Sequence, residues 1–259
     1  MHLKINNYPR RTKFRKVYQF LINEITITLF LVLLIRIAIY EPFYVPTGSM
    51  MPNIMAGEWM ITTKYNYGYS KYSIPFFPDV IKNRVLQFYA PKKGDVIVFY
   101  YEPKKERFVK RVIGIPGDRI QMIANELYIN DKKIDKTLVD KVTLSKTIAK
   151  EYNDKFAIFT EKLPNGKEYM VRYANSLSDL SDTSEFLVPE NSYFVLGDNR
   201  DESADSRVGF FVNNEQIIAK AQFVVFSNEY NFYFEQISLN GMWEFIKSFR
   251  TDRFFKKIA

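Results

Sequence analysis

The sequence contains no cysteine, and its single histidine, His2, lies in a basic segment at the N-terminus. The lack of cysteine excludes thiol catalysis and Cys-based metal sites, and one histidine leaves no zinc site of the usual kind. A serine nucleophile most often depends on a histidine as its general base. We therefore expect no metal and no cofactor, and a hydrolytic serine in this chain needs another base.

Glycine and proline are also scarce, with 10 and 11 among 259 residues, and the chain has no internal repeat or low-complexity tract. These counts exclude the disordered and fibrous classes. In contrast, 17% of the residues are aromatic, including 23 Phe and 18 Tyr. The composition is that of a folded protein, long enough for one sizeable core with an insertion or for two small domains.

The basic residues that give the net charge of +8 are concentrated at the two ends of the chain. Residues 1–16 contain six Lys or Arg and no acid, residues 241–259 contain five Lys or Arg against two acids, and the remainder sums to −1. A nucleic-acid interface would place basic residues on a face of the folded region. Basic ends instead favour contact with membranes, so we expect membrane lipid and not nucleic acid as a partner.

A long apolar run, residues 17–40, follows the basic N-terminal segment and is interrupted by Glu24 and Arg36. Its charge-free centre is shorter than the roughly 20 residues that span a bilayer, but charged side chains near the ends can reach the interface. We predict one transmembrane anchor over residues 17–40, with residues 1–16 in the cytosol and all that follows on the outer face. A buried soluble helix is the alternative, and a cleavable signal peptide fits less well because no Ala-x-Ala-like site follows.

Beyond the anchor the sequence predicts a mainly β fold, because short β-branched and aromatic segments alternate with turn signals such as Pro116-Gly117-Asp118. The predicted strands are residues 94–101, 107–115, 127–134, 168–173, 193–197 and 219–226. No helix alternates with them, so an antiparallel sandwich or barrel is expected. The more polar residues 126–188 predict an inserted second β region between two parts of one catalytic domain, residues 41–125 and 189–228.

Two further segments have the composition of membrane-interface elements. Tyr65–Phe77 is a loop-like stretch rich in Tyr and Phe, which are favoured at the bilayer interface. Met242–Phe249, within the basic residues 241–259, repeats apolar residues at helical spacing and predicts an amphipathic helix of interfacial type. Core packing is the alternative for the first segment, and an ordinary surface helix packed on the domain is the alternative for the second.

One serine stands out as a candidate nucleophile. In "PTGSMMPNI", Ser49 is held between Gly48 and Met50 in a stretch flanked by prolines. Ser49 lies nine residues beyond Tyr40, so an extended chain keeps it within roughly 30 Å of the end of the anchor. Any chemistry at this serine therefore takes place close to the membrane surface.

Lys110, in "RFVKRVIGI", is the candidate base for this serine. Strand alternation places Lys110 on one apolar face with Phe108 and Val112. Desolvation on such a face favours the neutral amine, which is the form that a Ser–Lys pair requires. Taken alone, a lysine on a strand is more often an edge or snorkelling residue, so this assignment needs an independent match.

Four segments supply that match: "PTGSMMPNI", "GDVIVF", "KRVIGIPGD" and "GDNRDESADSR". In this order, behind an N-terminal anchor, they resemble the four conserved boxes of the bacterial type I signal peptidases, membrane serine proteases that remove signal peptides from exported proteins. The resemblance implies a signal-peptidase/LexA-like antiparallel core, with Ser49 as nucleophile and Lys110 as general base. It also implies signal peptides of secreted preproteins as partners and a single-pass location in the cytoplasmic membrane, with the catalytic domain outside.

The resemblance also assigns supporting residues. Thr47 matches an oxyanion-hole hydroxyl, where many members have Ser, and Ser203 matches a serine that orients the lysine ammonium. Asp205 and Arg207 match a structural ion pair beneath the site. The positions that match shallow apolar substrate pockets are Phe43, Val45, Phe108 and Val109.

Two departures from the family pattern accompany these matches. Glu202 replaces a residue that is often Asn, and the chain has one predicted span where some members have two. A related Ser–Lys protease that matures pilus or conjugation proteins, or that cleaves itself, is the nearest alternative. A membrane-tethered β domain that binds secreted partners without catalysis is a second, and "GDNRDESADSR" alone is also compatible with a polar loop containing its own ion pairs.

Overall fold

A computed structural model describes residues 10–74, 83–151, 156–174, 178–229, 243 and 245–258. The first element is the helix α1 (Arg10–Ala38). Its segment Tyr18–Ala38 has 21 residues and a mean hydropathy of 2.1, which makes it long and apolar enough to cross a membrane. Large apolar side chains along this segment are exposed, including Leu29 and Phe30. The predicted N-terminal apolar helix is therefore confirmed, and it begins within the segment assigned to the basic tail.

The rest of the described chain is mainly β, as predicted. Its strands are β1 (Tyr40–Val45), β2 (Glu58–Thr63), β3 (Val96–Tyr101), β4 (Glu106–Gly114), β5 (Arg119–Ile123), β6 (Glu126–Ile129), β7 (Lys132–Lys133), β8 (Asp135–Leu138), β9 (Phe156–Lys162), β10 (Glu168–Ala174), β11 (Phe186–Leu187), β12 (Ser192–Leu196), β13 (Val212–Asn213), β14 (Ile217–Ser227) and β15 (Lys256–Lys257). A short helix, α2 (Lys146–Glu151), and several 3-10 turns complete the elements.

The largest sheet has eight strands in the order β1-β2-β14-β3-β4-β12-β13, with β15 paired to β14. Its strand pairs are antiparallel. Because β1 starts at Tyr40, two residues after the helix ends, the apolar helix leads directly into the edge of this sheet. The sheet is therefore tied to the apolar helix with no intervening linker.

The segment predicted as an insertion forms two smaller antiparallel sheets, β10-β9-β8 and β11-β5-β6-β7. The hairpin between β6 and β7 turns at Asn130 and Asp131, both with positive φ, as expected for residues that tolerate the left-handed region. Strand β5 precedes the predicted boundary at residue 125, but it pairs with β6 and β11 of the second region. Pairing therefore groups β5 with the inserted strands.

Alternation along the central strands separates two apolar clusters. Val96 and Val98 of β3 join the cluster that contains Met50 of the β1–β2 loop, whereas Ile97 and Phe99 join a second cluster with Val112. A third cluster joins the central sheet to the second region, since residues of β4 and β12 pack with residues of β5, β6 and β10. The insertion thus shares a core with the central sheet.

The two predicted interface segments pack on the protein only in part, because Trp243 and Ile246 of the tail are exposed. Tyr67 is buried and Tyr69 contacts the carbonyl of Ala38 at the helix end, which leaves Tyr65 as the most exposed described tyrosine of this loop. Residues 75–77 of the predicted interface loop lie outside the described residues, as does Met242 of the predicted tail helix. In the described part of the tail, Phe249 packs against Phe226 of β14.

Candidate active site

Ser49 lies in the loop between β1 and β2, and its neighbours fix that loop. Met50 and Ile54 are fully buried in the core cluster, and the amide of Met51 donates to the carbonyl of Gly48 over 3.0 Å. Ser49 itself is partly exposed. Buried anchors on its C-terminal side therefore hold the serine hydroxyl at the surface of the domain.

Lys110 reaches this hydroxyl from the middle of β4. Its Nζ lies 2.8 Å from Ser49 Oγ and 3.0 Å from the carbonyl oxygen of Val109. The side chain is buried, and Nζ lies over the ring of Phe108, 5.4 Å from its centroid. The fold therefore brings together, across 61 positions of sequence, the hydroxyl and the amine that the sequence analysis singled out.

Burial lowers the pKa of Lys110 from 10.5 to about 8, because the apolar surroundings disfavour the ammonium form. The carboxylates of Asp205 and Asp198 act in the opposite direction, and the ammonium of Lys104 adds to the lowering. At neutral pH about one lysine in ten is then neutral, against about one in three thousand for a free side chain. The site can supply an unprotonated amine to Ser49 without a histidine.

A groove of about 250 Å³ runs beside the serine and the lysine. The predicted substrate-binding residues all line it: Phe43, Val45, Phe108 and Val109. Its walls come from β1 and from the first half of β4, and in the described chain these segments have ladder partners on one side each, β2 and β3. Unpaired strand edges bind extended peptides through main-chain hydrogen bonds, so the groove suits an extended polypeptide.

Thr47 also lines the groove, two residues before the serine. Its hydroxyl lies 3.5 Å from Ser49 Oγ and is exposed. A hydroxyl at this position can turn towards an oxygen bound in the groove, because no buried partner holds it among the described residues. The geometry is compatible with the oxyanion role expected for Thr47.

Ser203 is close to the nucleophile loop but is not hydrogen-bonded to Lys110. Its hydroxyl is buried and has no hydrogen-bond partner within the described chain, whereas Lys110 Nζ donates to the carbonyl of Val109. A Cβ at Gly197 would lie 2.1 Å from Ser203 Oγ and 2.6 Å from the carbonyl oxygen of Ser49. A side chain at position 197 would therefore clash with Ser203 and with the nucleophile loop, and glycine allows the two to lie close together.

Asp205 and Arg207 form an ion pair of 2.8 Å, and both side chains are fully buried. Asp205 also accepts a hydrogen bond of 3.0 Å from the amide of Gly197, and Arg207 donates to the carbonyl of Arg200. These bonds connect the end of β12 to the turns that follow it. The pair thus stabilises the backbone on which Ser203 is carried.

The segment "GDNRDESADSR" is not a self-contained polar loop. Asp198 pairs with Arg111 of β4 at 2.7 Å, and Arg200 pairs with Glu161 of β9, with all four side chains buried. Sequence reasoning left these partners unassigned, because they lie on strands far away in the chain. In the part of the chain that the structure describes, no group of three or more His, Asp or Glu could hold a metal ion.

Asn199 is a site residue that the sequence analysis missed. Its amide N–H donates to the carbonyl of Ser49 over 3.1 Å, and its side-chain Nδ2 donates to the carbonyl of Gly48 over 3.1 Å. The residue is almost completely buried. Asn199 lies within the segment "GDNRDESADSR", which the sequence analysis had singled out, and this could have indicated a role at the site. The sequence does not indicate that its hydrogen-bond partners are the carbonyls of Gly48 and Ser49.

Comparison with known proteins agrees with this geometry. The family model described as "Signal peptidase, peptidase S26" matches residues 19–226. Signal peptidase I of Rickettsia akari (strain Hartford) is 43% identical over 244 residues, covering 87% of this chain and 88% of the relative. Signal peptidase I of Rickettsia typhi (strain ATCC VR-144 / Wilmington) is 40% identical over 265 residues, covering 95% and 96%.

A solved structure of a signal peptidase I from Enterococcus faecalis V583 is also similar. It is 25% identical, covers 51% of this chain and 96% of its own, and has a TM-score of 0.32. The family model spans most of the chain, and the Rickettsia relatives match it along nearly their whole length. The chain belongs to the signal peptidase family, peptidase S26.

Proposed function

We propose that this protein removes N-terminal signal peptides from exported preproteins as a Ser–Lys endopeptidase. The observation that carries the proposal is the 2.8 Å contact between Ser49 Oγ and Lys110 Nζ, within a groove that suits an extended peptide. Membership of the signal peptidase family supplies the substrate class. No histidine, metal or cofactor takes part in this mechanism.

In the acylation step, neutral Lys110 accepts the hydroxyl proton as Ser49 Oγ attacks the scissile carbonyl carbon. The resulting oxyanion accepts hydrogen bonds from the backbone N–H of Ser49 and the hydroxyl of Thr47. The Lys110 ammonium then gives its proton to the leaving amine, the C–N bond breaks, and the mature protein departs. The signal peptide remains as an ester on Ser49.

In the deacylation step, Lys110 is neutral again and takes a proton from a water molecule that attacks the ester carbonyl. The same two donors stabilise the second oxyanion. Collapse of this intermediate breaks the C–Oγ bond, and Lys110 returns the proton to Ser49. The signal peptide leaves with a free carboxyl group, and the enzyme is regenerated.

The groove accounts for cleavage after small residues. Val45 and Val109 are buried beside the serine, and Phe43 and Phe108 close the groove with aromatic rings. Such a shallow apolar surface accepts small side chains and disfavours large ones. An Ala-x-Ala sequence in extended conformation places two small side chains on the same face of the peptide, towards this surface.

We place the protein in the cytoplasmic membrane with its N-terminus in the cytosol and the catalytic domain outside. The six basic residues within positions 1–16 favour this orientation by the positive-inside rule. Leu86, Phe88 and Tyr89 are exposed next to Val85, which pairs with Tyr69 at the end of α1. We propose that these side chains contact lipid beside the helix.

The test is cleavage of a preprotein by the detergent-solubilised full-length protein, with the termini of both products read by mass spectrometry. We expect one cut after an Ala-x-Ala sequence. Ser49→Ala should abolish cleavage, and Ser184→Ala, at an exposed serine, is the matched control that should keep it. An active Ser49→Ala protein, or cuts outside the signal peptide boundary, would contradict the proposal.

A further inference from the structure

The buried side chain of Asn199 connects the nucleophile loop to the inserted second region. Its Nδ2 donates to the carbonyl of Gly48 over 3.1 Å and to Oε2 of Glu202 over 2.8 Å. Its Oδ1 accepts from Nε of Arg172, on strand β10, over 3.2 Å. Arg172 Nη2 in turn donates to Glu202 Oε2 over 2.6 Å, which closes a ring of hydrogen bonds among the three side chains.

The bond to Gly48 acts on the proposed oxyanion hole through one peptide unit. The carbonyl of Gly48 and the N–H of Ser49 belong to the same planar trans peptide, so they point in opposite directions. Asn199 Nδ2 and the Met51 amide, which donates to the same carbonyl over 3.0 Å, together fix the direction of the carbonyl and therefore that of the N–H. A hydrogen bond to that carbonyl also polarises the peptide, which strengthens the N–H as a donor.

Arg172 and Glu202 determine which end of the Asn199 amide faces Gly48. A guanidinium can only donate and an ionised carboxylate can only accept, so the pair matches the observed amide, with Oδ1 towards Arg172 and Nδ2 towards Glu202. In the reversed amide, Oδ1 would face Glu202 Oε2 and the carbonyl oxygen of Gly48. Both hydrogen bonds would then be replaced by contacts between acceptors.

The surroundings of Arg172 keep its guanidinium in place. The side chain is buried and lies over the ring of Phe156, with its central carbon 4.0 Å from the ring centroid. Its backbone N–H donates to the carbonyl of Asp198 over 2.8 Å. Glu202, in contrast, is about half exposed at the groove. The fixed partner thus belongs to the insertion, and the exposed partner can be replaced with little disturbance of the core.

We propose that Arg172 and Glu202 are positioning residues for the oxyanion hole: their ion pair sets the orientation of the Asn199 amide and so aims the Ser49 N–H at the developing oxyanion. The inference rests on the proposed function, since it concerns how the same reaction is stabilised. It gives the inserted region, through Arg172 of β10, a part in catalysis.

The test compares full-length wild type with Glu202→Ala and Arg172→Lys in detergent, using a peptide with an Ala-x-Ala cleavage site. Loss of an oxyanion-hole donor lowers kcat by about 10²–10³, and a donor that is less well aimed loses part of this, so we expect kcat to fall about tenfold. KM of Arg172→Lys should stay within about twofold, because Arg172 does not line the groove and uniform binding is unchanged. The lysine variant keeps the charge but lacks the guanidinium fork.

A peptide aldehyde gives a readout that a purely structural role would not change. The Ser49 hydroxyl adds to the aldehyde to form a hemiacetal whose oxygen occupies the oxyanion hole, so its affinity should fall in parallel with kcat. An uncleavable peptide without the aldehyde should bind Arg172→Lys like wild type, because Arg172 does not line the groove. The double variant should be no slower than the slower single variant, since both changes release the same amide.

Glu168→Ala is the matched control, because it removes an exposed ion pair with Lys162 on the same strand β10. It should leave kcat and aldehyde affinity unchanged. Unchanged kcat in Glu202→Ala, or a rise in KM alone, would overturn the inference. The proposed function would still stand if the wild type is active and Ser49→Ala is inactive. If Arg172→Lys does not fold, the inference is still tested by kcat and aldehyde affinity of Glu202→Ala, whose melting temperature shows that it is folded.

Discussion

Replacing Lys110 with methionine should inactivate the protein and, near neutral pH, make it more stable. Methionine is similar in length and apolar, so it can fill the space beside Phe108 without an ammonium group. The lysine is buried, and its pKa is lowered from 10.5 to about 8. This difference means that protonated Lys110 makes the folded state less stable by about 3 kcal/mol.

The sign of the effect follows from proton binding. Between pH 8 and about 10.4 the unfolded chain, with an ordinary lysine, binds more protons than the folded protein, so wild-type stability from this group rises with pH. Below pH 8 both states carry the proton and the full penalty applies. Lys110→Met should therefore gain up to about 3 kcal/mol at pH 6.5 and progressively less towards pH 10.

The assay is denaturant unfolding of wild type and Lys110→Met in the same detergent at pH 6.5 and pH 9.5, each compared as a difference in midpoint. Taking the difference between the two proteins removes the titration of all other groups they share. A methionine variant that is less stable than wild type by the same amount at both pH values would refute the reasoning. It would mean that the ammonium is well solvated and that Ser49 lacks its proposed base.

Three further predictions follow from the same site and from the apolar helix. The single-turnover rate should rise with pH through an apparent pKa near 8, and Lys110→Arg should be nearly inactive because a guanidinium does not accept the serine proton; substantial activity would exclude Lys110 as base. Ser203→Ala should lower kcat far less than Ser49→Ala, and equal losses would assign Ser203 a direct role. A protein lacking residues 1–38 should still bind anionic vesicles in a flotation assay, and no binding at low salt would restrict lipid contact to the helix.

The alternation of residue types along the sequence predicted much of the sheet, because it reflects which face of each strand packs against the core. The segments that became β3 and β4 alternate apolar residues on two faces, and the structure buries both faces. Strand β1 was not among the predicted strands, and its Pro42 lacks the amide that a central strand needs. It is tolerated because β1 lies at the edge of the sheet and pairs with β2 alone in the described chain.

The contact of Ser49 with Lys110 could be predicted because each lies in a segment with a recognisable pattern. The side chains that contact Arg200 and Asn199 beneath the site could not be predicted. Glu161 and Arg172 lie in the inserted region, 39 and 27 positions from Arg200 and Asn199, which they contact. A charged residue on a strand gives no indication of which distant turn it will meet, so only the folded arrangement reveals these pairs.

The ion pairs around the site help to explain why the Lys110 ammonium is a strong enough acid to lose its proton. Asp198 and Asp205 both raise the pKa of the lysine, and unpaired carboxylates in this buried setting would do so more strongly. Each is held by a buried guanidinium, Arg111 at 2.7 Å and Arg207 at 2.8 Å. Desolvation is the largest influence on the pKa of Lys110. The two guanidinium groups neutralise the carboxylates that oppose it, so the pairs that anchor the backbone also favour a neutral amine beside Ser49.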